Sequence, residues 1–305
     1  MNLYDLVIIG AGPTALSAAI YAGRSGLKTL MIEQQLIGGQ VATIDKIDNY
    51  PGFANGVSGM ELANDMEAQA RRFGVAVKIG TVTGLSKQCD GNTTIHCDTG
   101  DEIARAVLIA TGAGYRHLGI IGEEEFAHYC ATCDGAFYRD KEIITIGGAN
   151  SAVQEALFLS QFASHITMLV RSYVKAEQIL KDKLAEAIES GKITLMEGWR
   201  PLEIMINDGT VTGVRATNDK SEQIVSGDGV FVFAGHAPNV RFLFDSEVKL
   251  DDNYYIVTDD NQQTTMTGVW AAGDVRSGTT KQIVNAAADG ARAATKINKY
   301  LQGLK

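Results

Sequence analysis

Twice in this chain a short apolar strand runs straight into a glycine loop, a helix and a second strand, and that repeat constrains the fold more than any other feature. The first copy reads strand Leu6 to Ile9, loop GAGPTA (Gly10 to Ala15), a helix to about Ser25, and strand Thr29 to Glu33. The second reads strand Glu142 to Ile146, loop GGANSA (Gly147 to Ala152), the helix VQEALFLSQFA and the strand HITMLV. Parallel strands need a crossover and a helix supplies it, so each copy opens a parallel sheet. The expected fold class is α/β, with two Rossmann-like dinucleotide-binding domains, each three-layered. At 305 residues the chain has room for both.

The rest of the pattern says how the two are threaded. A hairpin-rich stretch runs from Phe73 to Leu108 and ends in IATG, Ile109 to Gly112. Gly198 to Phe233 again reads as short strands around Asp-Gly turns and leads into FAGHAPN. The closing GVWAAGDV and alanine-rich helix start like neither copy, so they are expected to complete the first domain. On that reading residues 1–118 and 237–305 form the first dinucleotide-binding domain. Residues 119–236 are a second dinucleotide-binding domain inserted in it, with crossings near 113–118 and 235–240.

The first loop has the GxGxxA form, in which glycines permit the turn and helix N-terminal amides hold a pyrophosphate. Gly10, Gly12 and Ala15 fit it, and Glu33 ends the next strand, where a carboxylate can accept from an adenosine ribose. A merely tight turn is the alternative. Cys130 and Cys133 have the spacing of a small redox disulfide, and equally of half a zinc site. A zinc site needs a second pair; Cys89 and Cys97 lack that spacing, so no metal is expected and these two are read as inert thiols. With four cysteines in all, any pairing is expected to be catalytic rather than a scaffold.

A net charge of −9 without clustered Lys and Arg excludes a nucleic-acid partner. No apolar run reaches membrane-spanning length, and the opening MNLYDLVIIG is not a signal sequence, so a cytoplasmic protein without membrane contact is expected.

Along its whole length the sequence resembles the low-molecular-weight, bacterial-type thioredoxin reductase family, through GAGPTA, GGQ (Gly38 to Gln40), NYPGF (Asn49 to Phe53), ATG (Ala110 to Gly112), CATCDG, GHAPN (Gly235 to Asn239) and AAGDV (Ala271 to Val275), in matching order. The resemblance implies FAD, held by Gly10, Gly12, Pro13, Thr14, Ala15, Glu33, Gln34, Gly39, Gln40, Asn49, Ala110, Thr111, Gly112, Gly273, Asp274, Lys281, Gln282 and Ile283. Gln40 and Asn49 would lie near the isoalloxazine, Asp274 on the ribitol, and Lys281 and Gln282 at the pyrimidine edge. The residues alone also allow Asp274 to be a plain helix cap. It further implies that Cys133 faces the flavin, that Cys130 attacks the partner, and that Asp134 donates a proton; an Asp-Gly turn is the other reading of Asp134. The implied partner is a thioredoxin-like protein disulfide, and the implied assembly a homodimer.

The second loop departs from the family, because Ala149 takes the central glycine position. Gly147, Gly148, Asn150 and Ser151 remain as loop and helix start. The family's arginine cluster for the 2′-phosphate of NADPH is reduced to Arg171 and Lys175 within Val170 to Lys175, and a solvated surface is the ordinary reading of both. The expected donor is therefore not NADP(H) in the standard way. Ferredoxin or another electron carrier would feed the flavin, with the second site empty or holding a different dinucleotide such as a second FAD. A conventional NADPH-dependent enzyme and a non-catalytic dinucleotide-binding redox sensor are the alternatives. The link from Phe126 to Cys130 is also short for the family, whose inserted domain rotates, and His128 and Tyr129 are expected to pack as ordinary linker residues.

Overall fold

The computed structural model describes residues 3–303, and every side chain within a helix or strand there except that of Cys133. In chain order the elements begin with β1 (Leu3–Ile9), α1 (Pro13–Arg24), β2 (Thr29–Glu33), α2 (Gly59–Arg72), β3 (Ala76–Ile79), β4 (Val82–Lys87), β5 (Thr93–Cys97), β6 (Glu102–Ile109) and β7 (Ala113–Tyr115). There follow α3 (Glu123–Phe126), β8 (Ala127–His128), α4 (Ala131–Asp134), β9 (Glu142–Ile146), α5 (Asn150–Leu159), β10 (His165–Val170), α6 (Gln178–Glu189) and β11 (Ile193–Glu197). The chain ends with β12 (Arg200–Asn207), β13 (Thr210–Thr217), β14 (Glu222–Ser226), β15 (Gly229–Val232), β16 (His236–Pro238), β17 (Val269–Ala271) and α7 (Ile283–Gly303). It divides into two compact units, one running to Gly114 and resuming at Ala237, the other Tyr115–His236. Among the described residues no helix is long and apolar enough to cross a membrane.

In the first unit the sheet order is β3-β2-β1-β6-β5-β4, and β17 pairs with β6 as well. β6 forks: Ala104 to Glu102 lie against the antiparallel β5, while Val107 to Ile109 lie between the parallel β1 and β17. The period of two along β1 sends its side chains to opposite faces. Leu6 and Ile8 pack with Leu16, Leu62, Met66 and Ile297 of the helices, whereas Val7 and Ile9 pack with Leu85, Ile95, Val240 and Met266. Both faces are thus dry, and each fully buried side chain of this size stabilises the unit by about 1.5–3 kcal/mol. That is why β1 is apolar without alternation. α2 starts at a serine N-cap, the Ser58 hydroxyl accepting from the Glu61 amide at 3.1 Å. α7 lies directly on α1, since a Cβ added at Gly290 would stand 2.0 Å from Thr14 O.

The second unit has the same layering. Five parallel strands run in the order β11-β10-β9-β15-β8, and a separate antiparallel sheet is β12-β13-β14. Ile143, Ile166 and Phe231 face α5 and α6; Ile144, Leu169 and Val230 face Ile204 and Val214 of the antiparallel sheet. α5 begins three residues earlier than the apolar pattern suggested, because Ala149 takes an extended backbone as N-cap and the helix starts at Asn150. It also stops sooner, at Leu159, where the amides of Phe162 and Ala163 both turn back to Leu159 O.

Candidate active site

The first cradle is built at the C-terminal ends of β1 and β6. Gly10 has φ +103°, and a Cβ there would stand 2.5 Å from Ala110 O, so only glycine lets the loop turn this close to β6. Gly12 is the N-cap of α1 and Pro13 its first residue; no side chain caps this end, which leaves helix amides and the positive end of the dipole for an anion. Glu33 reaches back from β2, its two carboxylate oxygens accepting from Ala11 N at 2.8 Å and Gln35 N at 3.0 Å. Gln34 beside it is exposed. The GGQ turn closes on the same loop: Gly38 N donates to Ala11 O at 2.8 Å, and a Cβ on Gly39 would meet Gly12 Cα at 3.5 Å. Gln40 follows, exposed, on a short 3-10 turn.

Residues far apart in sequence complete the cradle. Asn49 Nδ2 donates to Gln282 Oε1 at 3.2 Å, across 233 residues. Thr111 and Asn239 bond reciprocally, hydroxyl to Asn239 O at 2.8 Å and amide to Thr111 O at 2.9 Å, which ties ATG to the last residue of GHAPN. Gly273 has φ +76° and sits on Thr14, where an added Cβ would stand 2.2 Å from the hydroxyl. Its amide donates at 2.7 Å to Asp289, which is also bonded by Arg276 at 3.1 and 3.2 Å. Sequence reasoning did not find Asp289 or Arg276, since a single Asp in an alanine-rich helix carries no local signal.

Asp274 is the group in this cradle that has something left to bind. Its Oδ1 is buried and has no hydrogen-bond partner among the described residues. Burial pushes its carboxyl up to about 6, with the Asp289 charge adding and Lys281 opposing. A buried acceptor without a donor costs about 1–3 kcal/mol, so it calls for hydroxyls from outside the chain. Lys281 is near enough to act on it, and its ammonium lies 4.4 Å from the centre of the Tyr255 ring. Ile283 opens α7 beyond it.

In the second unit, Cys130 is disulfide-bonded and caps the single turn α4, while Cys89 and Cys97 are free thiols. Burial pushes the Cys97 thiol up, which keeps it protonated and unreactive. The side chain of Cys133 lies outside the described residues. Thr132 Oγ1 is 3.3 Å from Cys130 Sγ, and the Asp134 amide donates to Cys130 O at 3.1 Å.

The segment before the disulfide does more than the ordinary linker packing expected of it. Tyr129 donates to Glu123 at 2.9 Å, and Glu123 also accepts from the amides of Leu118, Gly119 and Ile120. Burial alone would push the Glu123 carboxyl up; these donors outweigh it and hold it below the usual range. His128 is bonded directly to Asp134, Nδ1 to Oδ2, at 2.9 Å.

The second glycine loop has a different surrounding. Gly147 and Gly148 are required by close approach, to Phe233 O at 2.5 Å and Val170 Cγ1 at 2.5 Å. Ala149 is exposed at the N-cap. The segment after β10 folds back over the loop: Lys175 N donates to Gly148 O at 2.7 Å, and Asn150 and Glu177 exchange two hydrogen bonds of 2.9 and 2.8 Å. Arg171, Ser151 and the Lys175 side chain are exposed, the last 5.2 Å from the Tyr173 ring centre.

A nucleotide cradle in one unit and a disulfide-bonded Cys130 within a CxxC segment in the other define a class, and a family model for pyridine nucleotide-disulphide oxidoreductases matches residues 4–290; the chain belongs to that family. It is a flavin-dependent disulfide oxidoreductase similar to thioredoxin reductases. The thioredoxin reductase of Listeria monocytogenes serovar 1/2a is 39% identical over 315 residues, covering 100% of this chain and 96% of that protein. That of Treponema pallidum is 38% identical over 310 residues, covering 99% and 98%. The solved structure of thioredoxin reductase from Streptococcus pyogenes matches with a TM-score of 0.85 at 37% identity over 99% of both chains. The first cradle fits the FAD that such enzymes use: Gly10 and Gly273 sit where a Cβ has no room, the helix end is uncapped, and the unpartnered Asp274 oxygen suits a polyol hydroxyl.

Proposed function

We propose that this protein reduces a small, thioredoxin-like protein disulfide with Cys130 and Cys133 as its working dithiol. The observation that carries the reading is the disulfide at Cys130, one helical turn from Asp134, in a chain that also holds the flavin cradle. Bound FAD would supply the two electrons that open this disulfide. Cys130 then attacks the partner's disulfide as thiolate; an S–S bond forms between the proteins and one partner sulfur leaves as thiolate. Cys133 attacks Cys130 in turn, restores the internal disulfide and releases the second partner thiolate. Asp134 supplies the proton that one cysteine needs when the disulfide opens. FAD is held by Glu33 at the ribose, the α1 N-terminus at the pyrophosphate, and Asp274 at the ribitol. The test is Cys133→Ser, which is expected to abolish turnover of a thioredoxin-type disulfide by the photoreduced enzyme. Full retention overturns the reading, and binding of that disulfide without turnover by the native enzyme points to a redox sensor instead.

A second reading concerns the donor and is favoured by the second loop. Ala149 stands where a cofactor's phosphates come closest, the Glu177 carboxylate is bonded to the first residue of α5, and the segment Val170 to Lys175 carries Arg171 and Lys175 in place of an arginine cluster. Electrons on this reading reach the flavin from reduced ferredoxin or another carrier rather than NADPH, and the second site stays empty or takes a different dinucleotide, such as a second FAD. Stopped-flow mixing with NADPH and NADH is expected to leave the flavin oxidised on the turnover timescale. Fast bleaching by NADPH restores the conventional NADPH-dependent enzyme.

A further inference from the structure

His128 stands at the centre of a hydrogen-bonded row within the second unit. Its Nδ1 is 2.9 Å from Asp134 Oδ2 and its Nε2 is 2.7 Å from the Tyr138 hydroxyl. β8 pairs with β15 so that His128 lies opposite Phe231, and the two rings are stacked with centroids 5.0 Å apart. The imidazole is therefore fixed by its strand, by a stacking partner, and at both nitrogens. Tyr138 is fixed too, because a Cβ on Gly229 would stand 2.1 Å from its ring. Burial, with the charges of Asp134 and Asp228, pushes the Tyr138 phenol up, so it keeps its proton and can donate to Nε2. Nδ1 then carries the ring's proton and donates to Asp134. The groups that face the imidazole are Asp134 on α4 and Tyr138 in the following turn; behind Tyr138 stand Asp228 and Lys141, whose ammonium is 5.9 Å from the ring centre.

We infer that His128 is a positioning residue that aims Asp134 and reloads it with a proton after each opening of the disulfide. This rests on the reading of Asp134 as proton donor to the dithiol. Two electrons convert the disulfide to two thiolates; the Asp134 carboxyl protonates one of them and becomes a carboxylate. The neutral His128 ring then takes a solvent proton at Nε2, where the Tyr138 hydroxyl turns to accept, and passes its Nδ1 proton to that carboxylate; exchange of the ring protons with solvent restores the starting tautomer. A histidine suits the task because one ring nitrogen can take a proton while the other gives one. Proton donation fails in alkali, so the alkaline limb of the rate reports on the whole row.

The test compares turnover of a thioredoxin-type disulfide by photoreduced holoenzyme across a neutral-to-alkaline pH series. Asp134→Asn is the control, with a loss of about 100-fold or more, the lower end of what a general acid contributes. His128→Ala is expected to slow turnover about tenfold, and not to slow Asp134→Asn further, since groups acting as a unit are non-additive. His128→Asn keeps an amide that can donate to Asp134 but does not titrate; it is expected to recover most of the rate at the lowest pH and to lose it at lower pH than the native enzyme. Native rates and an unshifted alkaline limb in both His128 variants, with Asp134→Asn slow, overturn the inference alone. A native rate in Asp134→Asn overturns the reading beneath it.

Discussion

The two units open with the same strand, glycine loop and helix, yet they have kept different parts of what that start allows. In the first, Gly10, Gly12 and Gly39 clear a path along an uncapped helix end, and Asp274 holds a buried oxygen with no partner among the described residues. In the second, the α5 end is uncapped as well, and Lys175 N takes Gly148 O just as Gly38 N takes Ala11 O in the first, but Ala149 replaces the middle glycine and the Glu177 carboxylate is bonded to Asn150. A buried acceptor without a donor calls for a ligand, and a carboxylate already set against a helix N-terminus competes with an anionic one. Two loops with the same helix start and the same carbonyl pairing thus differ in their middle residue and in the charge set against the helix, and those are what separate a nucleotide cradle from a glycine turn.

The largest effect that could break this contrast comes from the loop glycines themselves. Gly10→Ala and Gly147→Ala carry similar strain, positive φ with a Cβ 2.5 Å from a carbonyl oxygen in each, and backbone strain of this kind costs about 1–3 kcal/mol before the clash is counted. Gly10→Ala is expected to purify with almost no flavin absorbance, whereas Gly147→Ala keeps its flavin. Equal flavin loss in both would erase the distinction between the loops.

Next in size is the acid at Asp274. Its folded carboxyl is raised to about 6 from 3.8, so protonation favours the folded protein; the contribution is complete below the ordinary value and is lost as pH rises through about 6. Denaturation of protein stripped of flavin is expected to show this loss, on the order of 3 kcal/mol, between acid and neutral pH. Asp274→Asn should flatten that pH dependence, and an unchanged profile would remove Asp274 from the cradle.

A smaller effect sharpens the second loop. Ala149→Gly removes the methyl but leaves Glu177 and the missing arginines, so NADPH should bleach the flavin no more than about tenfold faster than in the native enzyme. A much larger gain would make the methyl the whole obstacle. The smallest effect belongs to the first unit's thiols: Cys89→Ser, exposed in a hairpin turn, should leave turnover unchanged and stability within about 0.5 kcal/mol.

Much of the fold was legible because it is locally encoded. The strands Thr29–Glu33, Glu142–Ile146 and His165–Val170 have the bounds their apolar runs suggested, and the class of fold follows from their repetition. Helix ends were less legible: α5 starts at Asn150 because Ala149 tolerates an extended cap, a choice made by loop packing rather than by pattern. His128 was read as linker packing, since its partners Asp134 and Tyr138 come from a turn whose shape no periodicity predicts.

The sequence by itself determined the two strand-loop-helix units, the CxxC pair and the glycines, because each depends on neighbours within a few residues. Only the tertiary structure decided that Asp289 and Arg276 brace Gly273, that Asn239 locks Thr111, and that Glu177 closes over the second loop. Those contacts join residues 13 to 128 positions apart, and which polar group is left without a partner emerges only after all the others have paired.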